Sequence, residues 1–227
     1  MVEAGLSSWD IAAMSTAGNT QQTEGPRSKR AVIIATAIDR FGEAGFEHTK
    51  WAAIAEDVGI GQTALYHYFE SKAHCLLTIM RLELSDSVER FSAATEPAPD
   101  STRALSAAVA SAYEASPRDA LQRRILHNHM DLLATPRHSK KEEEERILCC
   151  ALVHEIEHNW TGLVQKGMDD GVFRVTDALL TARMLLALVG GAWRWYRPGG
   201  EITLDEITEV TAEAAGRLVD SDDVGAS

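Results

Sequence analysis

Thr49–Leu76, TKWAAIAEDVGIGQTALYHYFESKAHCL, is the stretch that decides the fold. Ile54, Ala55 and Val58 fall on one side of a short helix that Thr49 is expected to cap, and Gly59 follows where a tight turn calls for positive φ. Ile60 then plugs the space between two helices, and Gly61 takes the N-cap of a second helix running through Gln62, Thr63, Ala64, Leu65 and Tyr66. Small and polar side chains at such a helix start suit entry into the major groove of DNA. Gln62 can pair bidentately with an adenine edge, Thr63 can bond a base or a phosphate, and Ala64 can pack on a thymine methyl. Tyr66, His67 and Lys72 suit phosphate contacts, and Thr49 and Lys50 join them as candidates at the start of the first helix. Ser71 caps a further helix beginning at Lys72, whose N-terminal amides would also face phosphate, while Leu65 and Phe69 point into a small core. An ordinary helical hairpin with a glycine turn would explain the apolar positions as well. It would not explain Tyr66, His67 and Lys72 together.

Thr49, Ile54-Ala55, Val58-Gly59-Ile60, Leu65-Tyr66, Phe69 and Lys72 resemble the signature of TetR-family transcriptional regulators. Three positions depart from it: Gly61 replaces the usual serine cap, Trp51 stands where an aliphatic residue is usual, and Ala52 stands where a polar residue is common. The departures bear on fine contacts rather than on the motif. The resemblance implies an all-α protein: an N-terminal three-helix helix-turn-helix domain, then a larger helical domain for ligand binding and dimerisation.

The charge pattern is compatible with that reading. The net charge is −12, but residues 27–81 carry seven Lys/Arg against six Asp/Glu, so the acidity lies elsewhere. A nearly neutral reading head implies modest nonspecific affinity and reliance on specific contacts and dimerisation, because the phosphate term scales with the charge presented. Three cysteines, two of them adjacent (Cys149 and Cys150), indicate no disulfide framework and fit a reducing cytoplasm. Residues 1–26 are rich in Ser, Thr, Gly and Gln without a basic start or an apolar run; they read as a disordered arm, not as a signal peptide or anchor, with Met14 a plausible alternative start.

Apolar residues recur at helical spacing almost throughout. One helix is expected near Ser28–Gly45 with Ile33, Ile34, Ala37, Ile38 and Phe41 inward, and the Lys72 helix runs to about Ala93 before Glu96-Pro97-Ala98-Pro99 breaks it. Further helices are expected over Thr102–Ala115, from Ser116-Pro117 to just before Pro136, over Ser139–Met168, and over Asp177–Tyr196. The run Lys140–Glu145 reads as a solvated face. Thr203 and Glu206 form a capping box for a last helix to Val219, striped by Ile207, Val210, Ala214 and Leu218. The Asp177–Tyr196 helix is apolar nearly all round, yet Arg183 and Arg194 argue against a membrane span, so burial by its own domain and a second subunit is expected. The last two helices are therefore the expected homodimer interface. Gly190-Gly191 in mid-helix costs roughly 1 kcal/mol per glycine relative to alanine and calls for close helix approach or room for a ligand. Domain limits follow as 27–73 for the reading head and 74–220 for the body, with a flexible tail over 221–227.

His154-Glu155-Ile156-Glu157-His158 is a literal H-E-x-x-H string, the pattern in which two histidines hold zinc and the glutamate activates water. Its histidines face away from the stripe of Leu148, Leu152, Ile156, Trp160 and Leu163, and no convincing third ligand follows. A zinc-dependent hydrolase and a metal-responsive regulator therefore stand as alternatives, and a solvated helix face as the default. His127 and His129 are too close in sequence to share a helix face, although either can line a pocket. No catalytic group, metal or cofactor is expected. A second similarity lies in Arg194-Trp195-Tyr196-Arg197-Pro198-Gly199-Gly200 with Ile202-Thr203, and in Gly167–Arg174. Both are similar to segments of the TetR-family repressors of cholesterol catabolism in actinobacteria, which respond to CoA thioesters of steroid-ring fragments. That similarity implies a small hydrophobic effector of the acyl- or steroid-CoA kind, with His129, Trp160, Trp193, Trp195 and Arg197 as ligand candidates; arginine beside aromatics can hold phosphate and stack adenine. The competing reading makes Trp193, Trp195 and Tyr196 dimer-core anchors. The expected protein is a cytoplasmic, dimeric repressor that leaves a palindromic DNA operator when its effector binds.

Overall fold

The structure, a computed structural model, describes residues 26–220, and every regular element among them is helical. Helices α1 (Pro26–Ala44), α2 (Trp51–Val58) and α3 (Gln62–Tyr68) form the head. Helix α4 (Lys72–Thr95) leads into a body of α5 (Ser101–Tyr113), α6 (Pro117–Asn128), α7 (Lys140–Asp169), α8 (Ala178–Gly191) and α9 (Leu204–Val219). The arm expected over 1–26 lies outside the described residues except for Pro26, which opens α1, and the expected tail lies outside them entirely.

Side-chain caps start most of these helices. Ser71 accepts from the His74 amide, Asp100 from Arg103, Ser139 from Glu142 and Asp177 from Leu180. Ser116 with Asp119, and Thr203 with Glu206, complete reciprocal capping boxes. Helices α2 and α3 start without a side-chain cap. In α2 the N-cap differs from the expected residue: it is Lys50, not Thr49. Thr49 is buried instead, and its hydroxyl donates to the carbonyls of Gly45 (2.8 Å) and, more weakly, Arg40 (3.2 Å). The threonine thus closes the loop after α1.

Two apolar clusters fill the molecule. The first joins Ile33, Ala37, Ile38 and Phe41 of α1 to Ile54, Leu65 and Phe69, the first half of α4, Ile125 and Leu126 of α6, and Cys149 of α7. The second gathers α5, the second half of α7, α8 and α9 around Tyr113, Trp160, Leu185 and Trp193. At 24 residues α4 is about 36 Å long, and it runs from the first cluster to the second, where Phe91 packs.

The helix expected to reach Pro136 ends at Asn128, because His129 leaves the helical region (φ −125°, ψ 17°), and a 3₁₀ turn over Met130–Leu133 follows. The helix expected to reach Tyr196 ends at Gly191 and continues as a 3₁₀ turn, Ala192–Arg194. The Lys140–Glu145 run is only partly solvated. Glu142 accepts from the Ser71 hydroxyl (2.6 Å) and from Arg137, while Glu145 accepts from Thr78 and Arg81, so this acidic turn docks on α4. On α7 the inward position is Cys149, fully buried, and Leu148 is half exposed. On α9 the buried positions are Ile207, Thr211, Ala215 and Val219; of the stripe expected for the homodimer interface, Ile207 is buried, Leu218 packs partly buried on the same cluster, and Val210 is 67% exposed.

Gly167 sits where a Cβ would come within 2.0 Å of the Phe173 ring, whereas Gly162 on the same helix faces open space. Gly167→Ala is expected to destabilise the fold by about 1–3 kcal/mol through overpacking, and Gly162→Ala to stabilise it by about 0.5–1 kcal/mol through helix propensity. Urea denaturation of the two variants checks the contrast.

Candidate functional site

The turn between α2 and α3 is built by Gly59 at φ 70° and ψ 36°, the left-handed conformation that ends α2, with its amide bonded to the carbonyls of Ala55 and Glu56. Gly61 starts α3 without a side-chain cap. Leu65 and Phe69 are fully buried, and Ile60 is half-buried against the same cluster. The opposite face of α3 then necessarily presents Gln62, Thr63, Tyr66 and His67 to solvent, with Ala64 half-buried beside them. Lys50 is exposed. Thr49 offers no free surface.

Lys72 is half-buried, and its ammonium donates to the carbonyls of Phe46 (2.6 Å) and Thr49 (3.0 Å) while lying 4.2 Å from the Phe46 ring centroid. It clasps the loop between α1 and α2 against α4, leaving one N–H of the three uncommitted. Arg40 and Asp57 add a two-point ion pair between α1 and α2 (2.6 and 2.7 Å), which holds the Asp57 carboxyl below its ordinary range. The head is also fastened to the body: Arg118 of α6 pairs with Asp39 at 2.7 Å, and Arg124 bonds the Gly42 carbonyl.

A cavity of about 320 Å³ lies inside the body among α4, α6, α7 and α8, at the small end of the range for small-molecule sites. Leu84, Met130, Ile156 and Leu186 supply apolar wall, and Trp160 and Trp193 are the two predicted ligand residues that line it. His129, Trp195 and Arg197 do not. His129 sits on the other side of the α6 end, its Nδ1 bonded to the Ile125 carbonyl, in a cleft that Arg124 and Arg197 share with Phe46 of the head. Trp195 is 52% exposed in a groove between α8 and α9. Trp193 is buried under Arg123 and packs edge-on to Tyr196, so those two rings belong to the chain's own core.

The sequence reading missed the polar part of this wall. Glu83, Arg90, Arg123 and His127 all line the cavity. Glu83 Oε1 accepts from Arg90 (2.6 Å) and from Arg123 (3.1 Å), and Arg123 also donates to the carbonyls of Ala112 and Glu114 at the end of α5. Burial pushes the Glu83 carboxyl up despite both arginines. The signal for Glu83 was a charge between two leucines, Leu82-Glu83-Leu84; Arg123, between Gln122 and Arg124, carried none. Gly190 finds its reason here: a Cβ would stand 2.8 Å from His127 Cε1.

His154, Glu155 and His158 are exposed, and the glutamate of that string that makes a bond is Glu157, paired with Arg183 of α8 at 2.8 Å. Among the described residues no group of three His, Cys, Asp or Glu side chains could hold a metal ion. Nor is any described helix long and apolar enough to cross a membrane. Leu179, Leu180, Met184 and Leu188 of α8 are 38–59% exposed.

A helix-turn-helix head carried on a helical body with a partly open, ligand-sized cavity defines the class as a DNA-binding regulator. Comparison with known proteins agrees. Residues 33–79 match the bacterial regulatory proteins of the tetR family, and residues 105–219 match the tetracyclin repressor-like C-terminal domain. The chain is 31% identical over 189 residues to the HTH-type transcriptional repressor KstR2 of Rhodococcus jostii (strain RHA1), covering 82% of this chain and 89% of that one. Among solved structures, the TetR-family regulator PfmR from Thermus thermophilus superposes with a TM-score of 0.71 at 26% identity, over 82% of this chain and 97% of that one. AibR in complex with isovaleryl coenzyme A and operator DNA superposes at 0.69 and 19% identity, over 82% and 97%. The chain belongs to the TetR family; it is a transcriptional repressor, and the hydrolase alternative falls because its relatives are regulators, not enzymes.

Burial, then the neighbouring charges of Arg123 and Arg194, push the His127 imidazole down to about 4. The folded state therefore holds it neutral where the unfolded chain, near 6.5, would take up a proton. Its contribution to stability is complete above about pH 6.5 and is lost as the pH falls toward 4. The urea midpoint is expected to drop between pH 7 and pH 5, and to drop less in His127→Gln.

Proposed function

We propose that two copies of this chain form a repressor that holds a palindromic operator and releases it when a small hydrophobic effector enters the body cavity, acting in the cytoplasm. The observation that carries this reading is the position of the cavity: Glu83, Leu84, Ser87 and Arg90 of α4 form part of its wall, and α4 begins at the head. A ligand there acts on the helix that sets the heads' separation. Release requires only that it bind the non-operator spacing more tightly. Residues 27–73 would be the DNA-binding unit and 74–220 the effector and dimer unit.

On DNA, Gln62, Thr63 and Ala64 would read base edges, with Lys50, Tyr66, His67 and the remaining Lys72 N–H on phosphate. The apolar face of α8 with Val210 of α9 is the proposed homodimer seam, a reading supported by the exposure of Leu180, Met184 and Val210 at 54–67%. An acyl-CoA effector is supported by the structural similarity to AibR, which is solved with isovaleryl coenzyme A. The acyl part would occupy the cavity between Trp160 and Trp193. The CoA nucleotide would lie outside, with Trp195 and Arg197 as its candidate contacts.

Fluorescence polarisation on the operator, with an acyl-CoA panel and the matching free acids, tests the reading. The thioester is expected to release DNA and the free acid to do so far less. Arg197→Ala should keep operator affinity and blunt the response; a panel that leaves the complex unmoved removes the CoA assignment. Val210→Glu is expected to give a folded monomer in analytical ultracentrifugation that no longer holds the palindrome. Tyr66→Phe should leave the melting temperature unchanged and weaken DNA binding, whereas Lys72→Ala should also cost about 1–2 kcal/mol of stability through its lost carbonyl bonds. A Lys72→Ala protein of wild-type stability would contradict the clasp.

A further inference from the structure

Two guanidinium groups converge on one carboxylate oxygen in the cavity wall, since both Arg90 and Arg123 donate to Glu83 Oε1. Glu83 balances only one of them. Of the other acids that bear on the cluster, Glu157 is paired with Arg183, Asp119 is held in the capping box with Ser116, and Asp86 stands exposed to solvent on α4. Arg123 is further committed to the carbonyls of Ala112 and Glu114, but Arg90 Nε, shielded from solvent, has no hydrogen-bond partner among the described residues. Ser87, three residues earlier on α4 and on the same face, adds a hydroxyl to the same wall. An alkyl group against Arg90 and Ser87 would offer neither side chain a hydrogen-bond acceptor, so hydrocarbon alone is a poor fit to this part of the wall.

We propose that Arg90, supported by Ser87 and by the Glu83–Arg123 pair, binds a hydrogen-bond-accepting oxygen, a carbonyl or a carboxylate, on the end of the effector that enters the cavity. The effector is then an oxygenated acyl or ring compound, with its polar end at α4 and its apolar middle against Trp160 and Trp193. This rests on the reading of the cavity as the effector site. It also gives the ligand a direct bond to the helix that carries the head.

Isothermal titration of the full-length protein with octanoyl-CoA, 7-oxooctanoyl-CoA and the mono-CoA thioester of octanedioic acid isolates the end group. At least one oxygen-ended thioester is expected to bind about tenfold or more tightly than octanoyl-CoA, as for a site built around a donor. Ketone against carboxylate tells which oxygen is preferred. Arg90→Met should bring the favoured ligand down to the octanoyl value, and Arg90→Lys, which keeps the charge for Glu83 but lacks Nε, should lose most of the preference if the methionine variant does not fold. Equal binding of all three ligands, or a preference that survives in a folded Arg90 variant, overturns the proposal. The same three end groups on N-acetylcysteamine thioesters separate the two readings: an oxygen preference there without CoA-thioester binding leaves this proposal standing and removes CoA. If neither series binds, both fall.

Discussion

The structure depends on α4 belonging to two cores at once. Its first half, from Cys75 to Met80, is fully buried beneath the head, its middle carries Glu83 and Arg90 along the cavity, and Phe91 packs on Trp160 in the second core. Residues with no exposure cannot slide without opening voids in a close-packed interior. The head is therefore seated on the body, and a shift of α4 carries the head with it. The Arg118–Asp39 pair and the bond from Arg124 to Gly42, both from α6, and the Lys72 clasp reinforce that seating.

The Glu83–Arg123 pair is costly to bury, since each charge loses its hydration and the mutual attraction repays this only with good geometry and further bonds. Here the further bonds exist. Arg123 satisfies two carbonyls at the end of α5 that the helix itself leaves open, and it lies 5.1 Å from the Trp193 ring. One side chain on α6 thereby ties together α4, the end of α5 and the turn after α8. A hydrophobic replacement could fill the same volume, but it would leave those carbonyls and the Glu83 carboxylate without partners.

Coupling between cavity and head needs no long pathway, because the cavity wall and the head share α4. The polar latch at the helix start offers a second point of leverage: Ser71 both caps α4 and donates to Glu142 of α7, and Glu145 holds Thr78 and Arg81 about two to three turns later. A displacement between α4 and α7 must break or trade these bonds. A nearly neutral head fits this arrangement, since a strong phosphate attraction would resist a modest shift in spacing.

How much was legible in the sequence follows from the range of each interaction. The helix-turn-helix, the caps at Ser71 and Thr203, the helix start at Ser116-Pro117 and the burial of Ile33, Phe41, Ile54, Leu65 and Phe69 depend on spacing within a few residues, so the sequence determined them. Where a helix was extended too far, it ends before His129, which leaves the helical region, and at Gly191, the second of two glycines already costly in a helix. Thr49 looked like a cap because its neighbours in sequence were visible; that its hydroxyl faces back to Gly45 and Arg40 depends on how α1 lies against α2. On α9 the stripe expected to meet a second subunit lies mostly beside the positions that its own chain buries, because the helix has two apolar sides and only the fold decides which one its own chain covers. The cavity is the extreme case. Glu83, Arg123 and His127 are spread over three turns of two helices and meet Trp160 and Gly190 only when α4, α6, α7 and α8 close on one another, so nothing short of the tertiary structure could assemble that wall.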